Sequence, residues 1–550
     1  MPRQTAAGDY SSACQLRDPF LRRARDASKL TIPALLPPLG HTVHSQLPTP
    51  FQGLGAQGVN NLASKLLLSL FPPTQPFFRL VPNDPEGLSK FGPEVKTEVE
   101  ESLVRMERTV TSELEVMALR VKVFEALKHL VIAGNACLHI QPDGQSRVLS
   151  LEQYVVRRDP MGFLEKLIVR EALHREHLPA ELEKMLAQSG GSAPYTEPSA
   201  GGSSAESPRM ADRGKELELF TVMEWDEDAD AYRLHQEFAR KVVPGSRQKF
   251  GEHLCPFRVL RFSAIDGEDY GRGLVEEVIG DLISLEALMR SIVEASAIMA
   301  RVLFLVDPAG AATADDLDRA PNGAFRVGRE TDVHAVQVQK GADLQITFKA
   351  VEMISSRLER AFLLNTAVQR QAERVTAEEI RYVAQELEST LGGVFSVLSQ
   401  ELQLPVVSLV MDRMGRQGRI PKINRRAIRP AIVTGIEALG RGQELNKIGT
   451  FAQAAQQIVG PDQLNQFMHV RVLLGQLATA AGIDTSELMR TEDEVAQQNQ
   501  QARTLEMIQR LGPEALKQVG PGIAERMGLA PGGGQAQPQQ PPPPATPARR

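Results

Sequence analysis

Between residues 350 and 405 the apolar positions recur at steps of three and four, the spacing that puts side chains on one face of an α-helix. In AVEMISSRLERAFLLNTAVQ the stripe is Val351, Ile354, Leu358, Ala361 and Phe362. A second stripe in VTAEEIRYVAQELESTLGGVFSVLSQELQLP runs through Ile380, Val383, Leu387, Leu391, Val394, Leu398 and Leu402, until Pro405 stops or kinks it. Thr376 and Glu379 have the spacing of a capping box, in which each side chain satisfies an orphan amide of the first turn. Between the arms lie Arg370, Gln371, Glu373 and Arg374, too polar and too few for a core element. The pattern predicts two long helices presenting a charged loop.

Upstream, DGEDYGRG at 266–273 is a turn cluster that leads into a third long helical stripe. Val278, Leu282, Leu285, Leu288 (or Met289), Ile292, Ala295 and Ile298 keep helical spacing, a length of about 40 Å at the usual rise. The opposite face is mostly acidic or small. Residues 303–349 then change period: FLVDPAG, GAFRVGR, VHAVQVQ and LQITFKA predict short β pieces, with turns at Asp307-Pro308 and Pro321-Asn322-Gly323. They form a small tip between two long helices.

The N-terminal part reads as helices followed by strands. Residues 10–30, rich in Arg and Asp, predict an exposed helix. In TPFQGLGAQGVNNLASKLLLSLFPP, Val59, Leu62, Leu66 and Leu70 form a helix face that Pro72 and Pro73 end. One or two helices follow over 93–134, with Gly134 and Asn135 suited to a C-cap. ACLHIQP, RVLSLEQYVVRRD and FLEKLIVREAL predict strands, the last two joined by a turn at Asp159-Pro160-Met161-Gly162. The Gly-, Ser- and Pro-rich stretch 188–215 reads as a mobile insertion, and 217–238 as a hairpin with Asp226, Glu227, Asp228 and Asp230 at its tip. An antiparallel sheet after helices makes the class α+β, mainly α. Beyond Pro405 come a basic connector, DRMGRQGRIPKINRRAIRP, several helices, and a proline-rich tail at 530–550 that reads as disordered. The connector suits nucleic acid or an acidic neighbouring subunit equally.

Composition narrows the partners. A hydrophobic content of 42% and a charged content of 24% are ordinary for a soluble globular protein. The formal net charge of −6 gives no global pull toward nucleic acid, so any DNA contact is local. Three widely spaced cysteines predict neither a disulfide framework nor a zinc cluster. No apolar signal core opens the chain, and no run approaches the roughly 20 apolar residues of a membrane span, which predicts a soluble, intracellularly made protein without a membrane partner.

No phosphate loop, nucleophile elbow or His-Glu-x-x-His stands in the sequence, so no enzyme, cofactor or metal is predicted. Gly53, Gly55 and Gly58 formally match a dinucleotide fingerprint, yet prolines 48 and 50 occupy the place of the strand it needs. Glycines that let a helix start approach a neighbour are the better account. His174 and His177 lack metalloprotease spacing and read as a solvated helix face; the acidic hairpin tip lacks an EF-hand's glycine and terminal Glu and reads as a solvated turn.

Six segments are together specific enough to carry a resemblance: TPFQGLGAQGVNNLASKLLLSLFP, VFEALKHLVIAGNACLHI, YVVRRDPMGFL, DGEDYGRGLVEEVIGDLISLE, LNTAVQRQAERVTAEEIRYVAQELESTLGGVFSVLSQELQLP and TGIEALGRGQELNK. In content and order, over about residues 48–490, they resemble the portal proteins, or head-to-tail connectors, of short-tailed, podovirus-type double-stranded DNA phages. The resemblance implies a portal fold: a wing (1–265, with the insertion 188–215), stem helix 1 (266–301), a β-rich clip (302–345), stem helix 2 (346–364), a tunnel loop (365–375), a long wing helix with connector (376–424), a helical crown (425–529) and the tail (530–550). It implies a dodecameric ring at one capsid vertex of the virion, the channel for DNA during packaging and ejection. Its implied partners are double-stranded DNA without sequence preference, the terminase large subunit, major capsid and scaffolding proteins, and tail adaptor and internal core proteins. A tail adaptor or other helical assembly protein is the alternative, and a nucleotide-binding enzyme using Gly53–Gly58 a third.

On that reading Arg370 and Arg374 line the narrowest point and touch phosphates transiently, with Glu373 limiting the attraction. Each strong cation on a sliding polyanion adds to a stalling barrier, which suits an acidic chain with few arginines at one constriction. Ion pairs from the same arginines to neighbouring subunits are the competing reading.

Overall fold

The computed structural model describes residues 5–432 and position 450, apart from 43–44, 73–76, 84–92, 142, 175, 177, 189–216, 301–302, 311–312, 326, 337–340, 365–376 and 422–427. The chain divides into two compact units, Met1–Ala481 and Gly482–Arg550, and the second lies wholly outside the described residues. The insertion, the crown helices and the proline-rich tail expected from sequence also lie outside them.

Helix α1 (Ala6–Lys29) is capped by Thr5, whose hydroxyl accepts from the Gly8 amide at 3.4 Å. Its charge predicts exposure, and the structure corrects this: Tyr10, Arg17, Leu21, Ala24 and Arg25 are buried. Arg17 Nη1 donates to the Leu151 and Glu152 carbonyls at 3.3 and 2.9 Å, and Arg25 pairs with the buried Glu152 carboxylate at 2.9 Å. Two arginines therefore pin α1 to the turn at 151–152, which keeps their charge satisfied inside the protein.

Helix α2 (Leu54–Leu70) buries Val59, Leu62, Leu66 and Leu70, as its stripe requires. After β1 (Phe78–Pro82) the predicted helical region is two helices, α3 (Pro93–Val116) and α4 (Leu119–Ala133), separated at Ala118, which is left-handed with φ 48°. Gly134 closes α4 at φ 72°, and a Cβ there would stand 2.3 Å from the Arg272 carbonyl carbon. Only glycine meets both conditions. Strands β2 (Asn135–Ile140), β3 (Ser146–Leu149), β4 (Tyr154–Arg158) and β5 (Leu164–Leu173) follow, so RVLSLEQYVVRRD holds two strands rather than one.

Helix α5 (Ala180–Gln188) precedes the predicted hairpin, β6 (Leu217–Asp226) and β7 (Ala231–Phe238), and then β8 (Lys241–Val242), β9 (Gln248–Phe250) and β10 (Phe257–Arg261). One antiparallel sheet has the order β4-β5-β6-β7-β8, with β9 also on β7, and a second has the order β10-β2-β3. The mixed α+β class is thus observed.

The region 266–361 departs from expectation in three places. Its first helix is broken at Val278 (φ −105°, ψ 11°) into α6 (Leu274–Glu277) and α7 (Ile279–Met299). Beyond β11 (Leu303–Val306), α8 (Ala314–Asp318) and β12 (Val333–Val336), the segment LQITFKA is not β: it lies within α9 (Gly341–Ala361), which starts five residues before the expected 346. GAFRVGR carries no strand among its described residues, and the tip is a two-stranded antiparallel pair, Leu303 opposite Val336 through Val306 opposite Val333.

Helix α10 (Ala377–Leu398) departs from helical geometry at Leu391, beside Gly392 and Gly393. Pro405 does not end the run. A π-turn over Ser399–Gln403, with the Leu404 amide donating to the Ser399 carbonyl, widens the helix ahead of the proline, and α11 (Leu404–Arg416) continues. The run Ser389–Arg416 is long and apolar enough to cross a membrane by length and composition, which sequence reading missed. Its Leu398, Leu402, Val406, Val407, Val410 and Met414 are buried in the main core with α2 and α4, as in a core helix. The π-turn aims Glu401 at Arg261 (2.7 Å) and Gln403 at the Leu70 carbonyl. Strand β13 (Ile428–Ile432) pairs antiparallel with β1 and returns the chain to α3's neighbourhood.

Candidate DNA-channel site

Helices α7 and α9 pack along each other and bury Leu282, Leu285 and Ile292 from one and Ile354 and Leu358 from the other, on the faces their spacing assigns. Arg357 Nη2 meets Asp281 Oδ1 at 2.7 Å across the pair. Farther along, apolar side chains stay open: Ile298, Phe304, Phe325, Ile346 and Phe348 are each more than half exposed. Ten of the seventeen large exposed hydrophobics among the described residues fall between 283 and 353, so the unpartnered apolar surface is concentrated in the two helices and their tip.

The far end of α9 is built quite differently. The Leu364 amide donates to Glu359 O at 2.7 Å and the Leu363 amide to Arg360 O at 3.2 Å, the paired bonds of a Schellman ending, with Leu363 itself left-handed at φ 54°. Glycine is usual at that position; a leucine costs roughly 1 kcal/mol or more there. The surroundings that hold it come from α2. Gly58 faces the Phe362 ring so closely that a Cβ would lie 2.4 Å from its Cγ. Asn61 Nδ2 donates to the Phe362 and Leu363 carbonyls at 3.1 and 3.0 Å, and Lys65 Nζ donates to the Leu363 carbonyl at 2.7 Å. Lys65 also meets the Glu386 carboxylate of α10 at 3.1 Å.

This arrangement decides the glycine triplet. Gly53 caps α2, a Cβ on Gly55 would meet the Leu30 carbonyl oxygen at 2.6 Å, and Gly58 receives Phe362. Among the described residues no strand precedes the triplet, so the dinucleotide reading falls and close helix approach stands. Gln52 completes the joint: its Nε2 donates to Leu30 O at 2.6 Å and its Oε1 accepts from the Gly55 amide at 2.8 Å. Glu286 of α7 accepts from the Phe51 amide at 2.9 Å.

Arg370, Glu373 and Arg374, with the Thr376 half of the expected capping box, lie outside the described residues, between α9 and α10. The basic connector resolves in part. Arg413 and Arg419 converge on the buried Glu113 carboxylate of α3, Arg413 also donates to Asp143 O at 2.7 Å, and Arg416 pairs with Asp412 at 2.7 Å. These three serve intramolecular pairs; Lys422, Arg425 and Arg426 lie outside the described residues. His174 follows strand β5 instead of lying on a helix, within 3.9 Å of Glu176. Asp226 at the hairpin tip pairs with Arg233, and no cluster suited to a metal ion occurs among the described residues. Asn61, Lys65 and Glu386 escaped sequence reading because nothing local marks a lysine that caps a helix 298 residues away.

A family described as bacteriophage head to tail connecting protein matches residues 3–489. The chain belongs to that family. It is 37% identical to the portal protein of Escherichia phage T7 over 516 residues, 91% of each chain. It is also 37% identical to the portal protein of Enterobacteria phage T3, over 89% of each chain. With the portal protein of Pseudomonas phage phiKMV it shares 32% identity over 89% of this chain and 93% of that one. These relatives come from podoviruses, and none is an enzyme. As a member of a head-to-tail connecting family, the chain acts at the phage portal vertex, where capsid and tail join.

Proposed function

We propose that the chain forms the portal ring of a short-tailed phage, twelve copies around a channel through which double-stranded DNA enters during packaging and leaves during ejection. The wing is 1–265, stem helix 1 lies within 266–301, the clip within 302–340, and stem helix 2 is α9 through residue 364. The segment 365–375 is the tunnel loop, 376–424 the long wing helix and connector, and 425–529 the crown. The terminase large subunit docks at the clip during packaging and the tail adaptor afterwards; major capsid, scaffolding and internal core proteins are further partners.

The observation that carries this reading is the apolar surface left open on α7, α9 and the tip, in a chain whose portal relatives match along nearly its whole length. A monomer would expose it to water; neighbours around a ring cover it. Electrostatics agree: a net charge of −6 favours a channel that lets a polyanion slide. Arg370 and Arg374 supply brief phosphate contacts at the narrowest point, and Glu373 tempers them. In particles carrying Arg370→Ala with Arg374→Ala, rings should form normally while packaged DNA length or DNA retention changes. Unchanged packaging and retention would remove these residues from the channel.

A further inference from the structure

We propose that Lys65 is a positioning residue, a two-armed latch that joins the end of the second stem helix to the middle of the long wing helix α10 through α2. One arm is the 2.7 Å bond from Nζ to the Leu363 carbonyl, and the other the 3.1 Å ion pair with Glu386. The two partners are 23 residues apart in sequence and stand on either side of the segment 365–376. A single ammonium therefore ties together the two helices that flank that segment.

Four features make Lys65 suited to this. Its side chain is only 9% exposed, so both bonds are made largely away from water and are stronger for it. The carbonyl it meets belongs to the left-handed Leu363, whose conformation needs support from outside the helix. Gly58, Asn61 and Lys65 also recur along one face of α2 at helical spacing, so the ring contact, the carbonyl caps and the ion pair come from one rigid element. The C-terminal end of α9 carries the negative end of the helix dipole, which favours an ammonium there. The segment leading into α2 is in turn tied to α7 through Glu286 and the Phe51 amide.

The latch deepens the portal reading, resting on it for what the intervening loop does and on these distances for its own existence. Hydrogen–deuterium exchange on the full-length assembled protein tests it without DNA. Lys65→Met keeps the alkyl stem and removes both arms; amides of 358–364 and 386–390 should exchange about tenfold faster, while β5 and β6 stay at wild-type rates. Glu386→Gln weakens one arm only, so protection should fall in α10 and persist at 358–364. Lys65→Arg should restore protection in both places. Unchanged exchange in Lys65→Met, or a rise spread equally over β5 and β6, overturns the latch, as does failure of the arginine to rescue. Should wild-type protein form no rings, the portal reading fails, while the exchange pattern still decides the latch.

Discussion

Gly58→Ala probes the joint between α2 and the end of α9 with one carbon atom. In a helix interior this change ordinarily stabilises by about 1 kcal/mol, because alanine loses less backbone entropy than glycine. Here the new Cβ would lie 2.4, 2.6 and 2.9 Å from Cγ, Cδ2 and Cβ of Phe362, a ring with no exposed surface. Cβ is fixed by the backbone, so no rotamer change clears it, and a ring buried on all sides has no room to swing Cγ and Cδ2 away, so the end of α9 must shift. Overpacking of a filled core costs about 1–3 kcal/mol, and contacts this short place the site toward the upper end, for a net loss of about 1–2 kcal/mol. Phe362→Ala alone should cost about 3–5 kcal/mol as a cavity mutant. In that background Cγ and Cδ2 are gone and only the 2.9 Å contact to Cβ remains, beside a cavity into which it can relax, so Gly58→Ala should cost clearly less, giving a coupling of about 1–2 kcal/mol. Urea unfolding of dissociated subunits, followed by far-ultraviolet circular dichroism, measures all four corners of the cycle. Equal effects of Gly58→Ala in both backgrounds would refute the close approach.

Three further outcomes rest on the same fold. Arg261→Met strips Glu401 of a 2.7 Å partner at the π-turn and should cost about 2–4 kcal/mol, whereas Arg261→Met with Glu401→Met should cost clearly less; urea midpoints compare them. Leu363→Val puts a β-branched residue at φ 54° and should lower the thermal midpoint more than Leu364→Val next to it, at a left-handed penalty of about 1–2 kcal/mol. His139 is stacked on Phe257 at 4.1 Å, and burial together with nearby Arg147 holds its pKa down at about 4. Between that value and the unfolded pKa, near 6.5, the unfolded chain binds more protons, so stability falls as pH drops through the window. His139→Gln should flatten that part of the stability–pH curve relative to wild type; identical slopes between pH 6.5 and 4 would exclude this cause.

The long helical arms were legible because burial follows a local period: Ile354, Leu358 and Phe362 are buried where their stripe puts them. LQITFKA misled through its alternation of Leu344, Ile346 and Phe348 with polar residues, a strand's period. In the structure Ile346 and Phe348 point outward from a helix, so the alternation records a surface that lacks its partner in one subunit. Pro405 announced a break but not its form, since whether a helix stops or widens depends on what Glu401 and Gln403 find at Arg261 and Leu70. Paired arginines escaped sequence reading. Arg17 and Arg25 look like solvated charge, and Arg413 and Arg419 like a patch for nucleic acid or an acidic neighbour, until the fold brings carbonyls or a buried carboxylate to them. The glycine triplet was read correctly in kind, yet its partner Phe362 lies 304 residues downstream of Gly58, beyond any local signal.

Cryo-electron microscopy of the purified full-length protein, with no DNA or partner added, tests the central claim most directly. Closed rings with a hole wide enough for duplex DNA, and with α7, α9 and the tip of neighbouring subunits covering Phe304, Ile346 and Phe348, are the predicted result. Monomers, solid particles, or rings in which those side chains face solvent would contradict it.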